Sequence, residues 1–226
     1  MSSDPIARCE ERVASLAASS LARARDEGDL AVLLGGVWTI VEEELAAGRP
    51  AGSPAPACGP GCAACCTVNV GTLAIEGAVA AALLRRDVPA IELPTLAATL
   101  RAFHDGVRWL EDRERIAGRI ACPFADAAGR CAIHAARPLA CRSISSLDPA
   151  ECRRALRELA DDEPGLVRMD WLQKALNDAA RVTLSEALAA RGLDGRFRDV
   201  SGMTAAFLGD PGLVTAFLAG RRLPVE

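Results

Sequence analysis

Tyrosine is absent from this chain of 226 residues, aromatic residues make up only 4%, and Lys174 is the single lysine. Histidine occurs twice, at His104 and His134, so Ser143, Ser145 and Ser146 have little from which to build a serine triad. No glycine-rich dinucleotide fingerprint, P-loop, HExxH or nucleophile elbow is present. The chain lacks a basic excess: its net charge is -4, which argues against the broad positive footprint of a nucleic-acid binder. Long apolar runs are missing as well; stretches such as 77–84 are far too short to cross a bilayer. The opening Met-Ser-Ser-Asp-Pro has neither the basic nor the apolar region of a secretory signal. These absences lead us to expect a cytoplasmic protein with no nucleic-acid or membrane partner. A protein or small-molecule partner is left unidentified.

There is no internal repeat, no low-complexity tract and no series of strands with period-two alternation. What is present is helical pattern. Half the residues are apolar, enough for an ordinary core without disulfides. A helix is expected from about Ile6 to Arg25, broken at Gly28. The next places Leu30, Leu33, Leu34, Val37, Trp38, Val41 and Leu45 on one face, with Glu42, Glu43 and Glu44 as its solvated end. Thr72 is expected to cap a helix running to Arg85 and Arg86. A longer helix should span Thr95 to Ile116 and contain His104 in a structural role. Asp148, Pro149 and Glu151 read as cap, first position and capping-box partner of another. A helix from Met169 to Ala190 carries Leu172, Leu176, Ala179, Val182 and Leu188. A short last one starts at Asp210-Pro211. Asp161, Asp162 and Glu163 read as a solvated loop. Thr67 to Gly71 reads as a brief extended piece.

The expected fold class is mainly α: a helical scaffold around an irregular cysteine-rich metal-binding core. It forms one domain over 1–226, with N-terminal helices in 1–50, the core in 58–152 and C-terminal helices in 165–226.

Nine cysteines stand in this sequence. Four lie in Cys-Gly-Pro-Gly-Cys-Ala-Ala-Cys-Cys, at Cys58, Cys62, Cys65 and Cys66, on a loop that Gly59, Pro60 and Gly61 allow to curl. Cys122, Cys131, Cys141 and Cys152 follow. Thiolates packed this closely repel one another unless a cation sits among them. In a reducing compartment such spacing favours metal over disulfides. Cys9, alone in a helical stretch, reads as a packed side chain. Soft thiolates suit zinc and iron–sulfur clusters alike, and Pro123 after Cys122 is a feature of ferredoxin-type runs. Eight cysteines could supply two four-thiolate sites. Neighbouring side chains point differently, so Cys65 and Cys66 are not both expected at one ion. His134 could replace a thiolate. Arg137 and Arg142 flank Cys141 and can offset the negative charge of a thiolate-bound cofactor. The C-x3-C-x2-C spacing also occurs in radical SAM enzymes, but position 64 is Ala, where those have an aromatic, and their strand–helix alternation is missing.

Taken with Cys122-Pro123-Phe124, Gly129-Arg130-Cys131-Ala132-Ile133 and Arg137-Pro138-Leu139-Ala140-Cys141-Arg142, the cysteine loop resembles the YkgJ-type cysteine-cluster family, described as zinc- or iron-chelating. The likeness covers roughly Cys58 to Cys152. It departs at His134, where tyrosine is usual. The resemblance implies metal or iron–sulfur binding, with the ligands expected from Cys58, Cys62, Cys65 or Cys66, Cys122, Cys131 and Cys141, and Cys152 as a further candidate. Flagellin lysine methylases carry a similar segment and are associated with a [4Fe–4S] cluster, which places iron–sulfur ahead of zinc. A cluster-dependent group-transfer enzyme, methyltransferase-like, and a structural zinc module for interactions are the alternatives. The substrate is not implied.

Overall fold

Helix α1, Pro5–Leu21, starts where Asp4 accepts the Ile6 N–H and proline fills the first helical position. Helix α2, Glu27–Gly48, is capped by Asp26 through the Asp29 N–H. The computed structural model describes residues 4–59, 61–160 and 165–224. Pro60, the acidic run 161–163 and Pro164 therefore lie outside the described residues. After the cysteine loop come β1 (Gly71–Thr72), α3 (Ala74–Asp87), α4 (Leu93–Val107) and α5 (Asp112–Ala117). A 3-10 turn at His134–Ala136 leads to α6 (Leu139–Ser143), α7 (Pro149–Ala160) and α8 (Trp171–Ala190). Strand β2 (Arg198–Asp199), α9 (Val200–Gly209) and α10 (Leu213–Leu218) complete the chain.

Two helical groups make the scaffold. Helices α1, α2 and α8 pack on one another, α9 packs against both α3 and α4, and α2 joins the groups by packing on α3. Their shared core includes Leu30, Leu33, Leu34, Ile75, Leu184 and Phe207, each almost fully removed from water. Cys9 belongs to this core, its Sγ 3.8 Å from the Leu176 carbonyl. Burial pushes its thiol up to about 11, with Glu44 adding to the effect. The packed role read from its helical setting is what the structure shows.

The fold is mainly α, and the departures from the sequence reading are local. The helix expected over Thr95 to Ile116 is interrupted between α4 and α5. Asn69 draws this bend in, its Nδ2 donating to the Leu110 carbonyl at 2.8 Å and its N–H to Asp112 at 2.6 Å. The Glu111 N–H then turns to Glu114 at 2.7 Å, starting a new helix. Thr72 is not the cap of α3 but part of β1, its hydroxyl donating to Glu76 at 3.1 Å. Gly28 sits inside the first turn of α2 rather than at the break. Glu44, expected in solvent, is buried and holds Arg8 and Arg12, each at 2.8 Å. On α8 the buried line runs Leu176, Ala180, Leu184, Leu188, leaving Val182 exposed. Asp148 does cap α7, accepting the Ala150 N–H at 2.8 Å. Glu151 does not close the capping box, because Arg168 claims its carboxylate at 2.6 Å.

Helix α9 has no counterpart in the sequence reading. Every residue from Val200 to Leu208 is buried, so it lacks the polar face that gives a helix its 3.6-residue signature. The two-residue strands pair antiparallel, Gly71 opposite Asp199 and Thr72 opposite Arg198. They are too short for alternation to mark them.

Candidate metal centre

The cysteine loop is tethered at its entrance. Ala57 donates its N–H to the Ser146 carbonyl at 2.7 Å, and the Ser146 N–H points back to Cys58 Sγ at 3.3 Å. Tight turns then reverse the chain: Cys62 N–H bonds the Gly59 carbonyl and Cys66 N–H the Ala63 carbonyl, both at 3.0 Å. The second cysteine segment is built as a small hairpin. An isolated bridge joins Ala125 to Cys131. Asp126 fixes the bend by accepting from the Ala128 and Arg130 N–H groups at 2.9 and 2.8 Å. The two segments are sewn together where Cys122 donates its N–H to the Cys66 carbonyl.

Glycine permits this approach at one point. Gly61 and Gly129 both adopt positive φ, at 85° and 74°, in the region that side chains disfavour. A Cβ on Gly129 would lie 2.4 Å from the Gly61 carbonyl oxygen, inside contact distance. The two loops can touch backbone to backbone only because Gly129 lacks a side chain.

Between the segments lies a cavity of about 300 Å³, whose wall includes Cys62, Cys65, Cys66, Cys122, Cys131 and Cys141. Val68, Val70, Phe124, Ile133, Ile144 and Val200 make the rest of it largely apolar. Cys58 and Cys152 are not on this wall, but they stand close by: Cys58 feels the charges of Cys62, Cys65 and Cys152. Cys66 instead feels Cys122, Cys131 and Cys141. Cys141 feels Cys122, Cys65 and Cys131, which puts Cys65 within reach of both groups. All nine cysteines are free thiols.

Cys65 and Cys66, although consecutive, come together within the turn. The two thiols act on each other: the interaction pushes Cys65 up, helped by burial, and draws Cys66 down. Burial raises Cys122 to about 11 and also lifts Cys58, Cys131 and Cys141. A bound cation removes this cost, since a coordinating thiol is deprotonated outright. Among the described residues, no group of three His, Cys, Asp or Glu side chains is placed to hold a metal ion. The thiols surround a space instead of closing on a point. Their soft sulfur chemistry and the cavity they share fit a bound metal group.

The two arginines differ. Arg137 lines the cavity, and its charge lowers the thiols of Cys65, Cys131 and Cys141. Its Nε is buried with no hydrogen-bond partner among the described residues. Arg142 is turned away, stacked 4.2 Å from the Trp38 ring centroid and donating to the carbonyls of Arg137 and Ala135. Burial and the neighbouring Arg137 lower its pKa. His134 is exposed on the cavity rim, and Arg137 disfavours its protonation.

Several supports were not foreseen. Glu76, fully buried, accepts the Leu139 N–H at 2.7 Å and so holds the start of α6, which carries Cys141. Arg115, also buried, binds the Val68 carbonyl at 2.9 Å and the Asn69 side chain at 3.1 Å. Only the reach-back of Glu76 to the Leu73 N–H, at 2.8 Å, has a sequence signal: a glutamate three residues past the helix start.

Residues 57–159 match the model of the CxxCxxCC family, described as a "putative zinc- or iron-chelating domain". No match was found among curated proteins or among solved structures. The match supports metal binding through the segment that carries eight of the nine cysteines. The match is to a cysteine-cluster family of the kind that the cysteine spacing resembles.

Proposed function

We propose that this protein holds an iron–sulfur cluster in the cavity between its two cysteine segments. The observation that carries this reading is the six cysteines on the wall of one cavity of about 300 Å³. A single zinc ion draws four ligands to about 2.3 Å from one point. A cluster spreads its thiolate ligands over several irons and takes up volume, which is what the cavity offers. The group would supply electron-transfer or Lewis-acid chemistry when bound. Cys66, Cys122, Cys131 and Cys141 form the group we assign as its ligands, with Cys62 and Cys65 on the same wall. Cys58 and Cys152 adjoin from the outer side. Arg137 offsets the negative charge of the bound thiolates, and the valine, isoleucine and phenylalanine walls limit water access.

The same reading makes the centre a folding element. Segments 58–69 and 120–146 have little regular structure of their own, whereas α2 and α8 are long, buried helices. Metal binding contributes on the order of 10 kcal/mol in small zinc modules, and less where a scaffold folds alone. Chelation of the anaerobically purified protein should therefore bleach its visible absorption and open 58–69 and 120–146 to limited proteolysis. The segments forming α2 and α8 should survive as protected fragments. Equal cleavage with and without chelator would remove the structural part of the proposal. An absence of any visible absorption before chelation would remove the cluster.

A further inference from the structure

Beside β2 lies a second cleft, of about 1020 Å³. Its wall carries Arg101, Arg108, Arg196, Arg198, Arg222 and His104. One carboxylate, Asp105, shares that wall. The chain as a whole carries a net charge of -4, so this concentration of guanidinium groups runs against the overall balance. Three separate parts of the chain contribute it: α4, the segment around β2, and the stretch after α10.

Part of the charge is fixed in place. Asp194, nearly buried, holds Arg196 at 2.8 Å and Arg198 at 2.9 Å. That carboxylate offsets some of their charge while pinning their forks. Arg101, Arg108 and Arg222 stand exposed around the opening. His104 is buried at the floor, its Nδ1 3.2 Å from Asp199 Oδ1. Asp199 in turn caps α9, accepting the Ser201 and Gly202 N–H groups at 3.0 and 3.1 Å. This fixed acceptor favours the proton on Nδ1, so a neutral His104 carries its lone pair on Nε2.

We propose that the cleft binds a small molecule bearing two or more anionic groups, phosphate or carboxylate. Planar guanidinium forks match both oxyanions in paired hydrogen bonds, which a scatter of lysines would not. A cleft whose lining carries an excess of positive charge also focuses its field and raises the local concentration of an oppositely charged ligand. The volume is that of a site for a molecule of metabolite size. A large nucleic acid is a poorer fit for a chain whose net charge is -4.

The cleft adjoins the cysteine centre without depending on its metal. Within one short run of chain, Arg198 faces the cleft and Val200 lines the cysteine cavity. Asp199 lies between, pairing with His104 and close enough to Cys122 to raise its thiol.

Calorimetric titration of the full-length, metal-loaded chain at low ionic strength tests the proposal, with fructose 1,6-bisphosphate and tricarballylate as probes for the phosphate and carboxylate sources. At least one should bind saturably and weaken as salt is raised. The double variant Arg101→Ala/Arg222→Ala, which changes only exposed side chains, should bind at least about tenfold less tightly with unchanged metal content and helical signal. The probe bound more tightly identifies the source. Failure of both probes to bind, or binding that the double variant leaves intact, overturns the proposal.

Discussion

Replacement of Cys66 by serine should reduce bound metal to less than about a tenth of that in the unaltered protein, because a hydroxyl is a far poorer soft ligand than a thiolate. Cys66 sits where the two segments are joined. Its carbonyl takes the Cys122 N–H, and its sulfur lies among Cys122, Cys131 and Cys141. Cys141→Ser should have the same result from the other segment, since Cys141 shares that wall. Cys65→Ser should lose less, because Cys62 lines the same wall and can take over part of its role. Cys9→Ser, deep in the α1–α8 packing, should retain full metal even if stability falls. Metal per chain, measured by mass spectrometry on all four variants, checks this ordering. Full metal in Cys141→Ser would mean that the two segments do not build one site.

Glu76→Ala should destabilise the protein by about 3–5 kcal/mol, the cost of leaving several buried donors without an acceptor. The carboxylate receives the Leu73 N–H at 2.8 Å and the Thr72 hydroxyl at 3.1 Å on one oxygen, and the Leu139 N–H at 2.7 Å on the other. All these groups are buried, so water cannot replace the lost acceptor. Burial pushes the Glu76 pKa up, opposed by these donors. Glu76→Gln keeps one oxygen but turns an NH2 group toward a donor, and should fall between the two. The loss also reaches the cysteine site: α6 begins at Leu139 and carries Cys141, so freeing its first N–H loosens a wall of the cavity. Urea unfolding followed by far-ultraviolet circular dichroism measures the first effect, and metal content the second. A change under about 1 kcal/mol would show that the donors find other partners.

How much of this was readable beforehand varies by element. The amphipathic face of α2 was plain, because Leu30, Leu33, Leu34, Val37 and Val41 all lie on its buried side. Helix α9 was hidden for the opposite reason: burial on every face leaves no period to detect. The break between α4 and α5 draws on Asn69, more than forty residues away, together with the local turn of the Glu111 N–H to Glu114. At the site, the cysteine types and spacing announced metal binding and the likeness to a cysteine-cluster family. Their partition did not follow from spacing. It arises from the turn that brings the Cys65 and Cys66 thiols together and from the contact of Gly61 with Gly129. The different fates of Arg137 and Arg142 were equally unreadable, since the choice is made by Trp38, which offers its ring to Arg142. The arginine cleft draws on three distant segments, and no single stretch of sequence carries a motif for it.

The central claim is that the thiol-lined cavity holds an iron–sulfur cluster. Its most direct test is chemical analysis of iron, acid-labile sulfide and zinc, per chain, on protein isolated without oxygen. Iron and sulfide should be present in equal amounts, with zinc far below one equivalent. Stoichiometric zinc with neither iron nor sulfide would contradict the claim and make the cavity a zinc site.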